Sequence, residues 1–166
     1  MAPTNGSAKV TLPADNQILI TREFDAPRHL VWRTYTEPEL IKRWWAGQRG
    51  TVTSVEVDLR VGGGWRYVMT ANGGFEVGFH GEFREIDAPD RLVNTEAFEG
   101  IPDPDGNAAL VTVTLTEKDG RTYLESLTEM RDKAGRDAII DSGMEGGMQE
   151  SYDALERVAI SLTSPS

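Results

Sequence analysis

The stretch from Ser142 to Leu162 most limits the folds open to this chain. Met144, Met148, Ser151 or Tyr152, Leu155, Val158 or Ala159, and Leu162 recur at spacings of three and four, which lays one apolar stripe along a long helix. Glu145, Gln149, Glu150, Asp153, Glu156 and Arg157 fall on the other side, which is expected to face water. A helix of this length must bury its stripe. The chain before it reads as strands, so the partner is a sheet. The upper half of the stripe is thioether and phenol, the lower half branched aliphatic. Flexible, polarisable side chains fill irregular space, so Met144, Met148 and Tyr152 either border a hollow or complete an ordinary core.

Upstream, Gln17–Phe24 reads as a first strand, stopped by Asp25-Ala26-Pro27. Pro27 suits the first turn of a helix, in which Leu30, Val31, Thr34 and Tyr35 share a face. Thr36-Glu37-Pro38-Glu39 has the form of a capping box and predicts a second short helix bearing Leu40, Ile41, Trp44 and Trp45 on one side. From Thr51 the pattern changes to period two. Val55, Val57 and Leu59 alternate with polar residues, and Trp65, Tyr67 and Met69 do so after Gly62-Gly63-Gly64. Asn72-Gly73-Gly74 and Lys118-Asp119-Gly120 are hairpin turns. Glycines at 78 and 81 suggest a bulge or bend in the returning strand. Seven strands result, nearly all meander-connected and therefore antiparallel, in one domain over residues 16–163. The Pro-, Thr- and Asn-containing opening, residues 1–15, reads as a loose tail without the apolar run of a secretory signal.

A formal charge of −10 repels phosphate backbones, and the 17 Lys and Arg residues are scattered, so nucleic acid is not expected as a partner. No apolar run approaches the ~20 residues of a spanning helix, and the chain has no cysteine, as suits a reducing cytoplasm. With only two histidines and no cysteines no metal site is expected, and no cofactor motif is present. Gly62-Gly63-Gly64 opens a strand, so it lacks the helix N-terminus that a phosphate cradle uses.

Phe24–Trp32, Thr36–Trp45, Gly62–Tyr67, Gly81–Ile86 with Pro89–Leu92, and Ser142–Met148, taken in order, resemble the START-like (SRPBCC) superfamily. Within it they are most similar to the bacterial branch related to the activator of the heat-shock protein 90 ATPase, whose relatives include polyketide cyclases and lipid-transfer domains. Ala46-Gly47 stands where that branch usually has Gly-Pro, and Met144 or Met148 where it often has Trp. The resemblance implies an α+β helix-grip fold: a curved antiparallel seven-stranded sheet wrapped around a long C-terminal helix, with two short helices after the first strand and a cavity between sheet and helix. Fold alone does not name a ligand.

The expected function is binding of a hydrophobic or aromatic small molecule, lipid-like or polyketide-like, in that cavity. The wall is expected from Trp32, Tyr35 and Trp44 at the helical corner, from Trp65, Tyr67, Met69 and Phe79 on the strands, and from Met144, Met148 and Tyr152 on the last helix. A cyclase- or hydrolase-type enzyme is the alternative. It needs a general base, either His80 or one of Glu96, Glu125 and Glu129 turned inward; an outward, solvated position is the plainer reading of each. A chaperone-associated interaction module, implied by the resemblance, and a homodimer stay open as partner classes.

Overall fold

The structure, a computed structural model, describes residues 7–163. Strand β1 (Lys9–Thr11) leads into β2 (Gln17–Phe24), followed by helices α1 (Arg28–Thr36) and α2 (Pro38–Ile41). Six strands then run in sequence: β3 (Gly50–Val57), β4 (Gly64–Ala71), β5 (Glu76–Asp87), β6 (Arg91–Phe98), β7 (Ala109–Lys118) and β8 (Arg121–Glu129). Helices α3 (Lys133–Asp141) and α4 (Met144–Ser161) complete the chain. All strands join one open sheet in the order β1-β2-β8-β7-β6-β5-β4-β3, with every neighbour antiparallel. The connection through α1 and α2 carries the chain from β2, near one edge, to β3 at the other.

The sheet has 8 strands rather than seven. The additional one, β1, falls in the segment read as a tail, where three residues placing Val10 opposite Ile20 are too few to show alternation. The rest of that tail expectation, residues 1–6, lies outside the described residues. Helix α3 was also not foreseen; Asp132 caps it, accepting from the Gly135 amide at 2.7 Å. The capping box at Thr36 does not form. Thr36 instead ends α1 and donates its hydroxyl to the Trp32 carbonyl at 2.7 Å, and Glu37 occupies the cap of α2 without a side-chain bond. The hairpin turns stand as read. Asp119 and Gly120 both hold positive φ, 54° and 77°, the geometry whose twist matches antiparallel strands. In β5 the register shift falls between Phe83 and Glu85 rather than at a glycine.

The lower half of α4 is core: Leu155, Val158 and Ala159 are buried in one apolar cluster with Phe24, Val31 and Leu124. One residue expected in water is wholly buried there. Glu156 meets Arg22 of β2, which explains how a carboxylate sits in the core: it is paired and hydrogen-bonded. Among the described residues no helix is long and apolar enough to cross a membrane.

Candidate functional site

Between the sheet and α4 lies a half-enclosed cavity of about 250 Å³. The end of α1 delivers Tyr35, and the turn after α2 delivers Trp44 and Trp45. Alternation on β4 turns Trp65 and Tyr67 inward, while on β6 the same period turns Leu92, Asn94 and Glu96 inward. The upper half of α4 brings Met144, Met148, Ser151 and Tyr152, and α3 adds Ile139.

The helical corner is fixed from several sides. Trp44 donates its indole N–H to the Thr34 carbonyl at 2.8 Å and stacks on Tyr35 with centroids 5.7 Å apart. Trp45 sits edge-on to Tyr67 at 5.4 Å and to Phe79 at 5.7 Å. Helix α4 clasps the same corner: the Ser151 hydroxyl donates to the Trp45 carbonyl at 2.8 Å, and Arg49 pairs with Glu150 at 3.1 Å. Offset and edge-to-face ring contacts of this kind contribute about 0.5–1.5 kcal/mol each beyond burial.

Across the cavity, Trp65 reaches past Gly81 to donate its indole N–H to the Thr95 carbonyl at 3.1 Å. Asn94 donates its side-chain amide to the same carbonyl at 2.9 Å. The Trp65 indole N–H and one N–H of the Asn94 amide are thereby engaged with backbone beside Glu96. Glu96 itself has no hydrogen-bond or ion-pair partner among the described residues, and burial alone raises its carboxyl to about 6. Part of its surface stays accessible because it lines the cavity. Three phenols share its neighbourhood. Burial, then the Tyr152 and Tyr67 phenols and the Glu96 charge, push the Tyr35 hydroxyl well above the ordinary phenol range. Burial and then Glu96 raise Tyr67, and burial lifts Tyr152 to about 12 against the lowering effect of Ser126.

Of the residues expected in the wall, Tyr35, Trp44, Trp65, Tyr67, Met144, Met148 and Tyr152 come together there. Trp32, Met69 and Phe79 do not. Trp32 is buried in the α1 face of the core. Met69 shares the phase of Tyr67 but lies farther along β4, and Phe79 packs behind Trp45 against Phe98 at 5.0 Å. The wall also contains Trp45, Asn94 and Glu96, which the ten expected positions omit. Period two on β6 places Glu96 with Leu92, and that alternation was the one sequence sign of its direction. Glu125 is exposed and Glu129 accepts from Gln17 at 3.1 Å, so neither reaches the cavity.

His80 is outside the cavity as well. Its ring bridges two carboxylates, Glu99 at 2.7 Å and Asp105 at 2.6 Å, and both hold its pKa above the ordinary imidazole value. Glu99, bound first by Arg66 at 2.9 Å and then by His80, is held down to about 2. This cluster pins the 99–107 loop to β5. An imidazole committed to two acids is poorly suited to remove a proton from a cavity ligand. Among the described residues no group of three or more His, Asp or Glu side chains could hold a metal ion.

The fold recurs in solved structures. A crystal structure of a protein from Rhodobacter sphaeroides superposes with a TM-score of 0.85 at 24% identity, covering 93% of this chain and 99% of that one. The solution structure of a protein from Arthrobacter aurescens gives 0.81 at 26% identity over 92% and 91%. A crystal structure of a Mycobacterium smegmatis protein gives 0.78 at 25% identity over 95% and 98%. No curated protein matches the chain. The helical corner, strands β3 to β8 and α4 as far as Ala159 all fall within residues 25–159, the span of one matching family model; the chain belongs to the Activator of Hsp90 ATPase homolog 1-like proteins.

Proposed function

We propose that this protein binds a small, mainly apolar or aromatic molecule in the cavity between the sheet and α4. The observation that carries the reading is the wall itself: a space of about 250 Å³ bounded by the rings of Tyr35, Trp44, Trp45, Trp65, Tyr67 and Tyr152. Apolar walls with a few convergent polar groups are the usual form of a small-molecule site, and this one is smaller than the ~300–1,000 Å³ of drug-sized pockets. Burial of apolar ligand surface stabilises the complex by roughly 25 cal/mol per Å² before the losses of association. Three of the chain's 4 tryptophans face the cavity, so binding is readable as a saturable change in indole emission. A titration series of indole, naphthalene-type aromatics, flavonoids and medium-chain aliphatics should yield at least one saturating ligand with a matching rise in Tm. Flat emission and unchanged Tm across every class would remove the proposal.

Glu96 supports a second reading, general acid–base catalysis on the bound molecule. A carboxyl near 6 in an apolar wall is poised to exchange a proton near neutral pH. Glu96→Gln should then abolish turnover while the bound molecule is still held; turnover that survives this substitution rules the reading out.

A further inference from the structure

We infer that the ligand of this cavity is a compact aromatic or alicyclic molecule bearing one protonated amine, held against the carboxylate of Glu96. The inference rests on the proposed small-molecule role of the cavity and names the class of molecule it takes. The wall carries one carboxyl and no Lys, Arg or His. No donor or cation among the described residues meets that carboxyl. The Trp65 indole N–H and one N–H of the Asn94 amide, which stand nearest in sequence and register, are engaged with the Thr95 carbonyl. Tyr35, Tyr67 and Tyr152 lie close enough for the Glu96 charge to act on each, but they bring no positive charge.

A buried ionised carboxylate without a counter-charge is costly, and the cost is removed either by protonation or by a cation. At neutral pH the first route is incomplete, because a carboxyl near 6 is mostly ionised. A ligand ammonium supplies the second, with an attraction larger than in water because apolar walls lower the local dielectric. The same rings that bury the ligand's apolar body favour its charged end, since Trp and Tyr faces attract organic cations. The net charge of −10 also enriches cations around the molecule. A ligand headed by carboxylate or phosphate would meet like charge with no base in the wall to answer it.

The test is calorimetry on the full chain with three probes of similar shape, 2-phenylethylamine, 2-phenylethanol and phenylacetate, and with indole as a neutral aromatic. Wild type should bind the amine roughly tenfold or more tightly than the alcohol, with phenylacetate weakest. Glu96→Gln, which replaces the charge by a neutral group of the same shape, should abolish the amine's advantage and bring it down to the level of the alcohol measured on the same variant. Amine affinity should fall as pH drops through about 6, where Glu96 protonates, while alcohol affinity stays flat. If the alcohol or phenylacetate binds as tightly as the amine, or the amine's advantage survives Glu96→Gln, the amine inference is overturned and the cavity reading stands. If none of the three probes nor indole binds, the amine inference is overturned, and the cavity reading falls with it when the wider ligand series also leaves emission and Tm unchanged.

Discussion

The guanidinium of Arg22 on β2 meets the carboxylate of Glu156 on α4 at 2.8 Å, with both side chains wholly excluded from solvent. The second arm of the guanidinium reaches Asp153 at 2.7 Å, one turn earlier on the same helix. The other Glu156 oxygen accepts from the Asp25 amide at 2.9 Å. Helix α4 is therefore held to β2 in one rotation and one height, and the cavity wall on its upper half inherits that placement.

Removing one side of this pair should be far worse than removing both. Glu156→Ala leaves the buried guanidinium with Asp153 as its carboxylate partner and one arm unanswered, and should cost up to about 3–5 kcal/mol in urea unfolding. The double variant Arg22→Met with Glu156→Leu should recover much of that loss, because replacing a buried pair by apolar groups is often neutral. A double variant as unstable as the single would contradict this account.

Glu96 should destabilise the empty protein at neutral pH. Its folded pKa, about 6, lies above its ordinary 4.5. The unfolded chain is thus the better acid, and the penalty is absent below about 4.5, grows between about 4.5 and 6, and is complete above. Glu96→Gln is expected to raise unfolding stability by up to about 2 kcal/mol at roughly pH 8 and to leave it unchanged at roughly pH 4. Denaturant midpoints at the two pH values measure the difference.

Gly81→Ala should disrupt the site rather than fill space. A methyl there would strike the Thr95 carbonyl and the Trp65 ring nitrogen, one of them backbone and the other held by its hydrogen bond. The expected loss is about 1–3 kcal/mol or more, with a shift in tryptophan emission as Trp65 leaves its acceptor. Thermal unfolding with emission spectra tests both parts.

His80 should titrate above the ordinary imidazole value, since Asp105 and then Glu99 favour its charged form. A raised histidine pKa means that its stabilising contribution is full below the unfolded value and is lost as pH rises through the folded one. Asp105→Asn should move the NMR-detected titration of His80 downward, and amides of the 99–107 loop should report the same midpoint as the ring. Loop amides indifferent to that titration would show that the histidine does not hold the loop.

The parts of the fold that were readable were those written by repetition. The stripe on α4, the alternation on β4, and the Asp119-Gly120 turn each need several residues or one backbone geometry to agree, and each stands in the structure. What was hidden depends on a single distant partner. Glu156 reads as solvated until Arg22 is brought to it from across the chain. Strand β1 is only three residues long and exists because β2 offers it an edge. The ten expected wall positions are all aromatic or thioether side chains. That chemistry brings in Trp32 and Phe79, which are core and packing, and passes over Asn94 and Glu96, whose inward turn follows from strand phase. On β6 an acid reads most plainly as solvated, and the apolar neighbours of Glu96 in the cavity decide otherwise.

The side-chain amide of Gln149 donates to the Ala8 carbonyl at 2.7 Å and accepts from the Ala8 N–H at 3.1 Å. It imitates, from a helix, the double bond that one strand offers another. Gln149 directly follows Met148, so the cavity wall and the start of the described chain are stitched through adjacent residues. Trimming the protein back beyond Ala8 would unfasten α4 from the chain beside its cavity-lining half.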